Sequence, residues 1–90
     1  MSVYVDDAVH PYRGMIMCHM VADSIEELHE MADKIGVDRR HYQGPPVSSR
    51  PHYDICKSKR KLAIQYGAIK VDSKKIVSVI KNLMNKGIAA

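Results

Sequence analysis

The chain has no phenylalanine, no tryptophan and only two cysteines among its 90 residues. Its apolar residues make up 46% of the sequence and include six methionines, so the core must consist mainly of Met, Ile, Leu and Val. Such a core adapts easily and specifies shape weakly. A chain of this length also buries only about 60–65% of its unfolded surface. These limits favour a homo-oligomer, which would bury more apolar surface than a monomer.

Long apolar runs, a leader segment and paired cysteines are also missing. No stretch approaches the roughly 18 apolar residues of a membrane span, and residues 1–7 lack the basic and apolar regions of a signal peptide. Cys18 and Cys56 form no CxxC pair, as is typical of reduced thiols in a cytosol. We therefore expect a cytoplasmic protein without a membrane partner. Ninety residues suffice for a single domain, residues 1–90, and for no second one.

The net charge of +4 is distributed unevenly along the chain. Residues 1–36 carry seven acidic and two basic side chains, whereas residues 37–90 carry three acidic and twelve basic ones. A basic half of this kind is typical of proteins with an anionic partner. Attraction between the two halves, or to a symmetry mate, explains the same asymmetry without any ligand.

The apolar pattern predicts a small α/β layer structure with about three strands and three helices, in the order β-β-α-loop-α-β-α. The continuous apolar run 15–22 is typical of a central strand covered on both faces, in which a lone His19 would be a hydrogen-bonded core residue. Ser24 and Glu27 fit a capping box and Gly36 a helix stop, so they bound the first helix. The remaining predicted elements are a strand at 3–5, a helix at 57–66 that buries Tyr66, and a strand at 68–71. A third helix follows, capped by Asp72 or Ser73. Its inward face is predicted to consist of Ile76, Val77, Ile80, Leu83 and Met84.

Residues 37–57 show no apolar period and predict a long polar loop. Loops of this length are uncommon in compact domains and tend to be functional or disordered. The middle, Gly44 to Ser49, has the composition of a mobile tip. The flanks are rich in Arg, His and Tyr, which suits ligand recognition better than a solvated loop.

The second flank leads into the predicted helix at 57–66. A helix N-terminus with free N–H groups, a hydroxyl and several cations favours a phosphate ligand, although Asp54 could instead cap that helix. The arginines could grip phosphate in a bidentate manner, and flat rings could stack on a base. The residues expected to bind a ligand are Arg39, Arg40, His41, Tyr42, Arg50, His52, Tyr53, Lys57, Ser58 and Arg60.

Histidines and aspartates supply a second candidate site. His10, His19 and His52, with Asp6, Asp7 and Asp54, could form a mixed imidazole–carboxylate site for Zn, Mn or Fe. No pair has the spacing of a known metal motif such as HExxH, and Asp6-Asp7 is equally typical of a turn or a helix cap. No nucleophile arrangement, Walker loop or GxGxxG motif occurs. Cys56, near a helix start, could have a lowered pKa.

Several short stretches together resemble the domain-of-unknown-function family 4031, short proteins of bacterial and phage genomes. The resemblance runs from about residue 2 to 80 and depends on VYVDD (3–7), MCHMVAD (17–23), ELHEMA (27–32), PHYDI (51–55), SKR (58–60) and YGA (66–68). It implies a stand-alone cytosolic domain and brings no established activity or catalytic residue.

Two functions therefore stand out. The first is a small nucleotide- or phosphate-binding protein, which in a phage setting could sequester a nucleotide signal and which needs no cofactor. The alternative is a metal-dependent phosphoesterase or small nuclease acting on a phosphate-bearing molecule or nucleic acid. In that case Asp6, Asp7, His10, His52 and Asp54 would hold Zn or Mn, with His52 and Asp54 as the candidate catalytic residues. A structural or protein-binding domain is the third class.

Overall fold

A computed structural model describes residues 2–7, 9–45, 48 and 50–86. It contains five strands, β1 (Val3–Val5), β2 (His10–Tyr12), β3 (Met15–Ala22), β4 (Tyr53–Cys56) and β5 (Ile69–Lys70). Its helices are α1 (Ile25–Ile35), α2 (Lys57–Gln65) and α3 (Ser73–Asn85), with a short 3₁₀ helix at Arg39–His41. The α/β class and the three helices are confirmed, and the sheet has two strands more than the three expected.

The long strand β3 organises the sheet. Along one edge it pairs antiparallel with β1, from Val3 opposite Ala22, and with β2, from His10 opposite Met17. Along the other edge it pairs antiparallel with β4, where His19 lies opposite Asp54. Strand β5 adds to β1 in parallel orientation. The turn from β2 to β3 is Arg13-Gly14, and both residues have positive φ (50° and 78°), as a type I′ hairpin turn requires.

The two faces of the sheet are covered unequally. Helices α1 and α2 cover one face, where the buried residues include Cys18, Met20, Tyr53 and Ile55. Helix α3 packs only on the Val21 end of the other face, through Ile76, Val79 and Ile80. Because side chains alternate along a strand, Met17 and His19 share this second face with Val21 but extend beyond the helix. The apolar run of β3 is therefore not covered on both faces along its whole length.

Helix α1 follows the sequence pattern closely. The Ser24 hydroxyl accepts a hydrogen bond from the backbone N–H of Glu27 (3.1 Å), and Gly36 ends the helix with φ 78°. Of the two residues expected as the cap of α3, Asp72 is the N-cap. Two other expectations for the helices require correction. The α3 residues Val77 and Met84 are exposed, because the buried face runs through Val79 instead. Tyr66, expected to be buried, is 54% exposed just after the end of α2.

The segment predicted as a loop is largely ordered by pairing. Gln43 and His52 exchange two backbone hydrogen bonds of 2.9 Å, so the two flanks meet and β4 follows directly. Tyr53 is completely buried and Pro51 nearly so, which is why this polar-looking stretch forms a strand of the sheet, paired with β3. The expected mobile tip, 44–49, falls partly outside the described residues. Asp54 lies within β4 and does not cap α2, whose N-cap residue is Cys56.

Candidate metal centre

Three imidazoles converge on one carboxylate oxygen at the part of the sheet that α3 leaves open. The Nε2 atoms of His10, His19 and His52 lie 4.0, 3.8 and 3.5 Å from Oδ1 of Asp54. The ring centroids of His10 and His19 are 5.0 Å apart, and those of His19 and His52 are 5.6 Å apart. We call these four residues the His/Asp cluster.

Strand pairing explains why the cluster forms. His19 and Asp54 are directly opposite each other on β3 and β4, and His52 is two residues before Asp54, on the same face. His10 pairs with Met17, which shares the face of His19. Residues that are 44 positions apart in the sequence thereby become neighbours on one sheet surface.

The carboxylate of Asp54 is satisfied at only one oxygen. Oδ2 accepts a hydrogen bond from the side-chain amide of Gln43 (2.9 Å). Oδ1 is buried and accepts no hydrogen bond from any residue that the structure describes. Buried polar atoms are nearly always paired, so an orphaned carboxylate oxygen among imidazole nitrogens calls for an explanation.

Two of the imidazoles are held so that Nε2 faces Oδ1. His19 contacts the Asp6 carboxylate through Nδ1 (2.7 Å), and His52 contacts the carbonyl oxygen of Arg50 through Nδ1 (2.6 Å). With the ring proton on Nδ1, each Nε2 keeps its lone pair for a ligand. Metal-binding histidines almost always show this arrangement, with the second nitrogen donating to a carboxylate or carbonyl.

The atoms are spaced as ligands of one metal ion require. His10, His19 and Asp54 each offer one atom, and these atoms lie within 4.8 Å of one another. Ligands about 2.0–2.2 Å from a tetrahedral zinc ion lie roughly 3.3–3.5 Å apart, only slightly closer than the three distances to Oδ1. Imidazole and carboxylate together suit Zn, Mn or Fe. The donor set therefore fits a borderline divalent cation.

The charges in the cluster influence each other. The pKa of the Asp54 carboxyl is lowered, chiefly by the neighbouring His52. Burial lowers the pKa of His52, but Asp54 and the Arg50 carbonyl outweigh it and the net direction is upward. The lowered pKa keeps Asp54 negatively charged, whereas the raised pKa of His52 favours its protonated form, so a metal ion that binds His52 would displace a proton.

Asp6 and Asp7, which were expected as possible metal ligands, lie outside the His/Asp cluster. Asp6 is buried and supports His19, because its Oδ1 also accepts from the backbone N–H of His19 (2.7 Å). Arg60 in turn donates from Nε to the carbonyl oxygen of Asp6 (2.7 Å). The Asp7 side chain is 85% exposed and pairs with Arg60 at 3.8 Å, outside the cluster. His10, His52 and Asp54 are brought together, and His19, expected either as a metal ligand or as a core residue, joins them.

The sequence contained one signal that His19 belongs to the site, namely the alternating positions of His52 and Asp54. His52 and Asp54 are two residues apart, which places both on one face of a strand. A histidine in the middle of an apolar strand is then the natural partner on the neighbouring strand. That interpretation requires β4, which the polar composition of 37–57 concealed.

The aromatic residues expected to stack on a base are mostly enclosed. Tyr53 is fully buried, its hydroxyl contacts Nδ1 of His29 (2.6 Å), and burial raises its pKa to about 12. The Tyr42 ring packs against both, with centroids 4.9 Å from His29 and 5.7 Å from Tyr53. Neither tyrosine is placed to hold a ligand, whereas His41 is exposed beside the cluster.

The basic residues are divided among separate surfaces. Arg39 is bound to Asp33 by two hydrogen bonds (3.2 and 2.8 Å). Lys57, Ser58 and Arg60 line a hollow along α2 that shares no residue with the clefts at the cluster.

At the start of α2, burial raises the pKa of the Cys56 thiol, but hydrogen bonds from Ser58 and the helix backbone outweigh this and lower it overall.

Two clefts open from the His/Asp cluster, and we name them for their position. The hairpin cleft, about 420 Å³, is lined by β2 together with His41, Gln43 and Asp54, and continues into a groove with Arg40 and Lys59. The helix cleft, about 280 Å³, lies between the cluster and α3 and is lined by Asp6, His19, Arg50 and His52. The cluster is thus accessible from two sides.

Fold and site together define a small α/β protein with a candidate metal centre on one face of its sheet. The chain belongs to the family described as "Protein of unknown function (DUF4031)", whose model matches residues 3–83. No curated protein and no solved structure matches the chain. None of the described helices has the length and apolar character needed to cross a membrane.

Proposed function

We propose that this protein is a metal-dependent phosphoesterase whose His/Asp cluster holds a divalent ion. The observation that carries the proposal is the buried Oδ1 of Asp54, which accepts no hydrogen bond from the described residues while three imidazole nitrogens face it at 3.5–4.0 Å. A cation beside Oδ1 would satisfy the carboxylate and bind the nitrogens of His10 and His19, which with Asp54 form the group whose ligand atoms lie within 4.8 Å of one another. Removing water from a lone charge without such a partner is costly.

The surroundings favour a phosphate-bearing substrate. Arg50 lies at one side of the cluster, and Arg40 and Lys59 lie at the other. A divalent ion polarises a phosphoryl oxygen and lowers the pKa of bound water towards neutrality. The flanking cations would orient the remaining phosphate oxygens. In the reaction, water adds to phosphorus, one ester P–O bond breaks, and the departing oxygen takes up the proton that water released.

Pure ligand binding, without catalysis, has less support from the geometry. Its strongest features were the rings of Tyr42 and Tyr53 and the cations at the start of α2. Tyr53 is buried and Tyr42 is partly buried against it, and Lys57 and Arg60 line a hollow separate from the clefts at the cluster.

The test is metal content and hydrolysis measured on the same preparations. We expect about one equivalent of Zn, Mn or Fe by elemental analysis, and metal-dependent hydrolysis of bis(p-nitrophenyl) phosphate that a chelator abolishes. His19→Ala and His52→Ala should lose both. His41→Gln, a histidine outside the cluster, should retain its metal. A wild-type protein that neither carries nor takes up a divalent ion would refute the proposal.

A further inference from the structure

We infer that the substrate is single-stranded nucleic acid, which lies across the His/Asp cluster from the hairpin cleft to the helix cleft. The inference rests on the proposed function and adds the class of substrate. The cluster lies between the hairpin cleft and the helix cleft. Asp54 lines the hairpin cleft, whereas His19 and His52 line the helix cleft. A substrate that extends from the metal in two directions would fill both, whereas a small phosphate ester is too short to occupy both at once.

An exposed ring stands where an unpaired base would lie. Tyr12 is 53% exposed and lines both the hairpin cleft and the groove that continues it. It is two residues after His10 on β2, so both side chains point to the same face of the sheet. His41 lines the same cleft. Bases of single strands stack on such rings whatever their sequence.

Cations are placed on both sides of the metal position, as the phosphodiester backbone of a nucleic-acid strand requires. Arg40 and Lys59 line the groove beyond the hairpin cleft, and Arg50 lines the helix cleft. Asp38 lies in the same groove, 4.0 Å from Arg40. Basic grooves with interleaved rings are the common surface of single-strand binders. The Arg13 guanidinium lies over the Tyr12 ring, 5.3 Å from its centroid, so a base would stack on the opposite face of the ring, and a duplex, which keeps its bases stacked, would leave that face without a partner.

The chemistry of cleavage is that of the proposed function, applied to an internal phosphodiester. Water forms a bond to phosphorus, one of the two ester P–O bonds breaks, and the leaving oxygen is protonated. The products are two shorter strands, one of which ends in a phosphate. No oxidant, reductant or second substrate takes part.

The experiment compares a polymer with a small ester. Cleavage of labelled 12-nucleotide DNA and RNA strands is measured beside hydrolysis of bis(p-nitrophenyl) phosphate, with the same metal-loaded protein. We expect at least one of the two strands to be cleaved more efficiently than the ester. Tyr12→Ala should lower the ratio of strand cleavage to ester hydrolysis about 5- to 150-fold, as stacking of about 1–3 kcal/mol per base implies. Lys59→Gln should lower it as well, and Lys61→Gln, which lies on α2 away from the clefts, should not.

Binding provides a second readout that needs no turnover. Fluorescence anisotropy of the same strands should show binding that weakens with salt and with Tyr12→Ala. If the ester is hydrolysed but strands, mononucleotides and duplexes react equally well, the inference is wrong and the proposed function stands. If strands bind in a Tyr12-dependent manner and nothing is hydrolysed, the proposed function fails while the polymer site remains. If no strand binds at low salt, the inference is also wrong.

Discussion

His19 and Asp54 face each other across the β3–β4 pair, with Nε2 of His19 3.8 Å from Oδ1 of Asp54. Each side chain also has a hydrogen-bond partner outside the pair: Nδ1 of His19 contacts the Asp6 carboxylate, and Oδ2 of Asp54 accepts from the Gln43 amide. The pair is thereby positioned before any ligand arrives. A preorganised pair of this kind loses little conformational freedom when it binds a metal ion, which makes the cluster the natural target for experiments.

Metal should stabilise the fold. An ion that binds only the folded state at 100 times its Kd adds about 2.7 kcal/mol, which corresponds to roughly 10–20 °C in Tm for a domain of this size. Thermal unfolding with and without Zn or Mn measures this shift. We expect His19→Ala to show almost none of it, and His41→Gln to show all of it. An unchanged Tm in the wild type at saturating metal would contradict the prediction.

Asp6 should act as a positioning residue for His19. In Asp6→Asn the side chain still fits, but the carboxylate that orients the imidazole is lost. Changes to such supporting groups typically lower metal affinity about 10–100-fold. Competition with a chromophoric chelator gives the affinity. Asp7→Asn is the matched control, since Asp7 is exposed and lies outside the cluster. Equal affinities in the two variants would remove this role from Asp6.

Removing the Tyr53 hydroxyl should destabilise the protein without affecting the metal site. Tyr53→Phe leaves the ring in place but removes the 2.6 Å contact with His29, at a cost of about 1–2 kcal/mol. Urea unfolding measures the loss in free energy. Metal content should stay at the wild-type value, because the Tyr53 side chain lies on the opposite face of β4 from Asp54. Reduced metal content would show that the two faces are coupled.

Gly44→Ala should disrupt the packing at the start of the loop tip. A Cβ at this buried glycine would collide with the Tyr42 ring, including its hydroxyl. The ring would have to leave His29 and Tyr53, and overpacking of this kind costs about 1–3 kcal/mol. Near-ultraviolet circular dichroism and urea unfolding report the change. Gly14→Ala is a useful comparison, since nothing lies within 4 Å of a Cβ there and only its positive φ opposes the substitution.

Stability should decrease with acidification partly through His29. Burial, followed by the nearby Arg39, lowers the pKa of His29 below 6.5. As the pH falls from 6.5 towards that lowered value, the unfolded chain takes up a proton that the folded protein resists, so folding free energy is lost. The His29 ring signals in an NMR titration of metal-free protein give the pKa. Arg39→Gln should raise it, and a value of 6.5 or above in the wild type would contradict the prediction.

The sequence by itself determined the α/β class, the three helices and the boundaries of α1. Those depend on local features: apolar periodicity, the Ser24 cap and the left-handed conformation that Gly36 adopts. It also supplied the residues of the candidate metal centre, since His10, His19, His52 and Asp54 were all considered as possible ligands. Local pattern could not show which of them meet, because that depends on strand pairing between distant segments.

Tertiary structure decided the site. The burial of Tyr53 and Pro51 turns part of a polar segment into β4, and pairing with β3 then sets Asp54 opposite His19. The same packing buries Tyr53, partly buries Tyr42 against it, and leaves Tyr12, which carried no signal in the sequence, exposed in the hairpin cleft. Which face a side chain occupies follows from strand register, and register is fixed by the burial of one face as a whole rather than by any single residue.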